Sequence, residues 1–118
     1  MADYALFIGF GIPVRGREKQ AVQVFGEATQ YYAGLQQKGE IESFEAFLLE
    51  PHGGDLSGFI LLLGDKDKLA HLRGDDEFAR NVTRATQIVE SVGVISAFTG
   101  ARLAEMMGSF EKDTADLR

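Results

Sequence analysis

The stretch Glu40–Gly64, EIESFEAFLLEPHGGDLSGFILLLG, decides the fold. Its first half alternates. Glu42, Phe44, Ala46, Leu48 and Glu50 fall on one face of an extended chain, and Ile41, Ser43, Glu45, Phe47 and Leu49 on the other. Glu40–Pro51 therefore reads as a strand with two unlike faces. His52-Gly-Gly-Asp55 reads as a turn, because adjacent glycines supply the positive φ a tight reversal needs. Ser57–Gly64 is nearly all apolar, so this second strand needs cover on both faces. The pair is an antiparallel hairpin placed near the middle of the chain.

Working outward, each side of the hairpin carries a strand and a helix. Tyr4–Ile12 is a strand with a bulky face (Tyr4, Leu6, Ile8, Phe10, Ile12) and a face that shrinks toward Gly9 and Gly11. Pro13 ends it, since proline cannot donate to a ladder. Gly16–Lys38 is a helix whose Ala21, Val24, Phe25, Ala28, Tyr32 and Leu35 recur at helical spacing, with Gly39 as its left-handed stop. Downstream, Asp65 caps a short helix through Arg73, and Asp75 or Asp76 caps a longer one through Ser91. Phe78, Val82, Ala85, Val89 and Val92 form its apolar stripe. Val94–Thr99 is the last strand. Ala101–Glu111 is a final helix with Leu103, Met106, Met107 and Phe110 on one side. The order βαββαβ predicts an α+β, ferredoxin-like fold: a four-stranded antiparallel sheet with an extra short helix before the second long one and a C-terminal helix. Residues 1–118 are expected to form a single domain, with 101–118 as C-terminal helix and tail.

Composition narrows the function classes. The net charge of −6 opposes binding to a phosphate backbone, so no nucleic-acid partner is expected. The chain has no cysteine, which removes disulfides, thiolate metal sites and a cysteine nucleophile. No apolar run is long enough to span a bilayer, and no signal-type segment follows Met1, so a cytoplasmic protein with no membrane partner is expected.

Two helices on one sheet face leave the other face bare. That face is expected to carry Phe7, Phe47, Leu49, Phe59, Leu61 and Phe98, too apolar a patch for water. Pairing two sheets face to face would bury it, which predicts a homodimer through the sheet. With the element order, the Pro51–Gly58 hairpin and the Asp75-Asp-Glu-Phe78 helix start, the chain resembles the dimeric α+β barrel proteins over roughly residues 4–100. Gly16-Arg-Glu18 and His52-Gly-Gly-Asp55 resemble an uncharacterised bacterial branch of them. The resemblance implies a range of activities that includes monooxygenases, haem-degrading enzymes and lactone isomerases, and so selects no chemistry by itself.

The first candidate for chemistry is Glu45. It alternates with Ser43 and Phe47 and so would face the space between paired sheets, where an apolar setting raises a carboxyl pKa toward neutrality. Phe7, Phe47 and Phe98 would hold a flat or apolar ligand, Gly9 and Gly11 would leave it room, and Ser43 and Ser96 would offer hydroxyls. The other reading pairs Glu45 with an arginine or leaves it at a rim, and a one-residue slip of register would invert the face. His52 and Asp55 read as turn residues in preference to metal ligands, and no metal is expected. No cofactor is expected either: neither His52 nor His71 falls on the pocket face, which disfavours haem. Arg15 and Arg17 precede a helix start, where an anion could sit. Arg80, Arg84 and Gln87 read as a solvated helix face. Two functions follow. One is a cofactor-free enzyme, monooxygenase- or isomerase-like, acting on a small apolar or aromatic molecule between the sheets. The alternative is a non-catalytic dimer that binds a small molecule or serves a structural role.

Overall fold

The computed structural model describes residues 2–117. Four strands, β1 (Tyr4–Phe10), β2 (Ser43–Leu48), β3 (Gly58–Gly64) and β4 (Gly93–Phe98), form one antiparallel sheet in the order β2-β3-β1-β4. The helices are α1 (Glu18–Gln37), α2 (Lys66–Arg73), α3 (Asp76–Thr86) and α4 (Gly100–Asp113), followed by a 3-10 turn at Ala115–Leu117. This is the ferredoxin-like arrangement that the element order predicts.

The local signals act where they were read. Asp65 accepts from the Asp67 N–H at 3.0 Å to start α2, and Asp75 does the same for the Glu77 N–H at 3.5 Å to start α3. Gly39 takes φ +76°, Gly39 N–H donates to Gln36 at 3.1 Å, and Glu40 N–H donates to Leu35 at 2.9 Å. Together these bonds close α1 and satisfy its last carbonyls. His52 staples the hairpin: one ring nitrogen lies 2.8 Å from the Leu56 carbonyl and the other accepts from Gly54 N–H at 3.3 Å. Among the described residues, no three His, Cys, Asp or Glu side chains gather as a metal would need.

The strand expected over Glu40–Pro51 is shorter at both ends, and Ile41, expected on the face of Glu45, lies before it and is buried in the core. Two further boundaries differ for one reason. The helix expected to run to Ser91 stops at Thr86, and the strand expected to reach Ile12 stops at Phe10. The freed segments pair with each other: Gly11 N–H donates to Glu90 at 2.6 Å, Glu90 N–H to Ile12 at 2.9 Å, and Val14 N–H to Ile88 at 2.8 Å. Ile88 and Val89 are β-branched and gain more from extended pairing than from another helical turn. Ser91, at φ +56°, then turns the chain into β4.

The core lies between the sheet and the helices. Leu6, Ile8, Ile60 and Leu62 from the strands meet Tyr32 and Leu35 of α1, Leu69 and Leu72 of α2, and Phe78 of α3. Leu62 is fully buried and Leu6 nearly so. Among the described residues, no second layer covers the opposite sheet face. Its central row runs Glu45, Leu61, Phe7, Ile95 across the four strands, flanked by Ser43, Leu63, Ala5, Ala97 and by Phe47, Phe59, Gly9, Gly93. Ile95 is 64% exposed and Phe47 38%. On α4, Leu103, Met107 and Phe110 are exposed as well. Among the described residues, no helix is long and apolar enough to cross a membrane.

Candidate functional site

The register separates the expected site residues into two groups. Glu45, Ser43, Phe47, Phe7 and Gly9 share the open face. Phe47 stacks on Phe59 with ring centroids 4.8 Å apart, and Phe59 stacks on Phe7 at 5.0 Å. Glu45 is exposed in the next row of the edge strand, beside Leu61.

Ser96 and Phe98 do not join them. Phe98 pairs with Tyr4 and Ser96 with Leu6, which puts both on the helix-covered side. The Phe98 ring meets Tyr4 edge-on at 5.6 Å and lies under the Arg102 guanidinium, and Arg73 reaches the Ser96 hydroxyl at 3.5 Å. The expectation for these two residues is corrected. In β4 both faces carry large and small residues, so bulk alone selects the wrong face, and pairing with β1 sets the register.

Gly9 and Gly11 are also reassigned. A Cβ on Gly9 would stand 2.7 Å from the Phe7 ring and 3.1 Å from Leu56. The room it leaves is taken by a ring of its own strand. At Gly11 a Cβ would meet the carbonyl oxygens of Glu90 at 2.8 Å and Asp55 at 3.0 Å. That glycine permits the close chain crossing beyond β1. Arg17, one of the two arginines before α1, donates to the Gln87 carbonyl at 3.3 Å.

The concave site lies on the other side of the sheet. An apolar cavity of about 440 Å³ separates the Ile8–Gly11 end of β1 from α1 and α3. Ala21, Val24, Phe25, Ala28 and Tyr32 line it from α1, and Asn81, Val82 and Ala85 from α3. Exposed Val22 and Leu48 mark its rim. The cavity follows from side-chain volume. Where α2 packs in, leucines, Tyr32 and Phe78 fill the layer. Toward the far end, alanines and valines face the sheet and do not reach across. Leu62, Leu69, Leu72 and Phe78 form no part of its wall. None of Glu45, Phe7, Gly9, Ser43, Phe47, Ser96 and Phe98 lines it.

Four lining residues are polar: Glu18 at the exposed rim, half-buried Ser57, and the buried Asn81 and Tyr32. Asn81 is the buried polar residue of the described chain, 8% exposed, and its Nδ2 donates to the Glu77 carbonyl at 2.9 Å. Tyr32 is 2% exposed, and burial pushes its phenol up to about 12, so it stays protonated. Beside the cavity, Arg84 of α3 donates from Nε and Nη2 to one carboxylate oxygen of Glu27 on α1, at 3.1 and 2.9 Å. That arginine was expected to be solvated. It ties together the helices that wall the cavity, one position from Ala85 and Ala28. The Arg84 bonds and the Gln23 amide hold the Glu27 carboxyl below its ordinary range.

Asn81 escaped the sequence reading, although a signal for it exists. Phe78, Asn81, Val82 and Ala85 fall at i, i+3, i+4 and i+7, so a polar amide stands on an apolar stripe. The cavity itself leaves no such mark, because its walls come from three separate segments.

No family model and no curated protein matches this chain. Solved structures do. A dimeric protein of unknown function and ferredoxin-like fold from Bacteroides fragilis superposes with TM-score 0.59 at 12% identity, over 81% of this chain and 96% of its own. A hypothetical protein from Arabidopsis thaliana gives 0.61 at 13% identity, over 86% and 91%. SnoaB, a cofactor-independent oxygenase from Streptomyces nogalater, gives 0.52 at 17% identity, over 86% and 95%. Sequence identities this low carry the architecture and not the activity. The chain has the ferredoxin-like α+β fold of these proteins.

Proposed function

We propose that this protein binds a small apolar molecule in the cavity between the sheet and the α1–α3 pair, as a homodimer joined through the open sheet faces. The observation that carries the reading is the cavity, about 440 Å³ of apolar space in a layer that elsewhere packs tightly. It opens to solvent past Val22 and Leu48, and its size and apolar lining suit a two- or three-ring molecule. Dimerisation is supported by the exposed Ile95 and Phe47 and the three stacked rings on a face without a second layer. The fold neighbour from Bacteroides fragilis is described as dimeric.

The test is backbone-amide NMR with naphthalene and phenanthrene. Shifts are expected at Ala28, Val82 and Ala85, and are expected to vanish in Ala28→Leu. Shifts confined to Phe59, Leu61 and Ile95, or no saturable shift, would remove the cavity reading.

A catalytic reading rests on a different observation. Glu45 lies in one row with Leu61, Phe7 and Ile95, beside the Phe47–Phe59–Phe7 stack. Sheet pairing would take that carboxylate out of water, where it could serve as a proton shuttle. The neighbour SnoaB is a cofactor-independent oxygenase. Glu45→Gln should then abolish turnover of an apolar aromatic substrate while the dimer persists. Unchanged turnover would exclude Glu45 from the chemistry.

A further inference from the structure

We infer that the cavity ligand carries a hydroxyl, and that Asn81 recognises it. The inference rests on the cavity reading above and adds the polar chemistry of the ligand. Asn81 stands on the cavity wall, more than nine-tenths buried. Its amide orientation follows from its partner. The Glu77 carbonyl can only accept, so the atom 2.9 Å from it is Nδ2 and not Oδ1. Oδ1 therefore has no donor among the described residues.

Oδ1 is not sealed off from water-sized space, so a ligand donor can reach it and gain a hydrogen bond that a hydrocarbon cannot offer. Glu77 O also lies four residues before Asn81, so it is in place to accept the helical N–H whether or not the side chain is present. The Asn81 side chain is thus not needed to satisfy it. Tyr32 adds to the selection. It lines the same cavity, and its phenol remains protonated and makes no hydrogen bond among the described residues. A ligand hydroxyl can donate to Oδ1, and a neutral Tyr32 on the same wall sets no charge against it. An ether or a bare hydrocarbon cannot donate to Oδ1. A mostly apolar pocket in which Asn81 offers a free acceptor discriminates against the analogue that lacks the matching donor.

The experiment compares naphthalene, 2-methoxynaphthalene and 2-naphthol by calorimetry and NMR on the intact protein. We expect 2-naphthol to bind roughly tenfold tighter than the other two, the size of one hydrogen bond gained. The side-chain amide signals of Asn81 should move with 2-naphthol more than with naphthalene. In Asn81→Leu the preference should fall to within about twofold while naphthalene still binds. Naphthalene binding with no preference for 2-naphthol, or a preference that survives in Asn81→Leu, would overturn the assignment and leave the cavity reading standing. If none of the three binds, the cavity reading falls and this inference falls with it. Should the variant fold poorly, the 2-naphthol against 2-methoxynaphthalene ratio on the unaltered protein decides alone.

Discussion

Replacing Ala28 by leucine turns the cavity into a question about the sign of a stability change. Ala28 lies on α1 with its side chain on the cavity wall, between Val24 and Tyr32 on the same helix. Leucine adds three carbons. At about 0.8 kcal/mol per buried carbon, they contribute about 2.4 kcal/mol when buried in existing space. Ordering the leucine side chain costs about 0.5–1 kcal/mol, and the difference in helix propensity is small. The variant should therefore be more stable by about 1.5 kcal/mol. If the layer were close-packed at this point, the same carbons would overpack it and cost about 1–3 kcal/mol. The two outcomes lie about 2.5–4.5 kcal/mol apart, beyond the error of a denaturation curve. For a chain of this length each kcal/mol moves the midpoint by about 4 °C, so the expected rise is about 6 °C. Urea unfolding monitored by circular dichroism, at matched protein concentration, is the assay. A loss of stability in Ala28→Leu would refute the existence of usable space between α1, α3 and the sheet.

Three further outcomes are expected. Ile95→Lys, which puts a charge in the middle of the open face, should convert a dimer to a folded monomer in sedimentation, and an unchanged sedimentation coefficient would show that this face is not the interface. Glu27 is held below the ordinary carboxylate range, chiefly by the hydrogen bonds from Arg84, so its contribution to stability is complete above that ordinary range and is lost as pH falls through the lower folded value. Glu27→Gln should flatten that part of the stability–pH curve and loosen ligand binding between α1 and α3; a curve identical to the parent's would show that the pair is not formed. Gly11→Ala places a Cβ between two backbone carbonyls that cannot rotate away, and should cost about 2 kcal/mol or more, whereas Gly26→Ala on α1, with nothing within 4 Å, should stabilise by about 0.5–1 kcal/mol in the same melts.

Much of this molecule was legible in the sequence because its instructions are local. Alternation in Glu40–Gly64 assigns Phe44 to one face and Glu45 to the other, and the structure keeps that division. Asp65, Asp75 and Gly39 act through bonds to backbone groups within five residues, so their effects do not depend on the rest of the fold. Three features required tertiary structure. Ser96 and Phe98 face the helices because β1 sets the register of β4, and a strand with bulk on both faces does not state its own register. Ile88–Glu90 leaves the helix because its backbone bonds a segment more than seventy residues earlier, an energy that helix spacing cannot register. The cavity exists because the alanines of α1, the end of α3 and the rim of β1 meet where none is long enough to reach the others. Periodicity and capping are properties of one segment and can be read from it. A void is a difference between volumes brought together from several segments, and only their packing determines it.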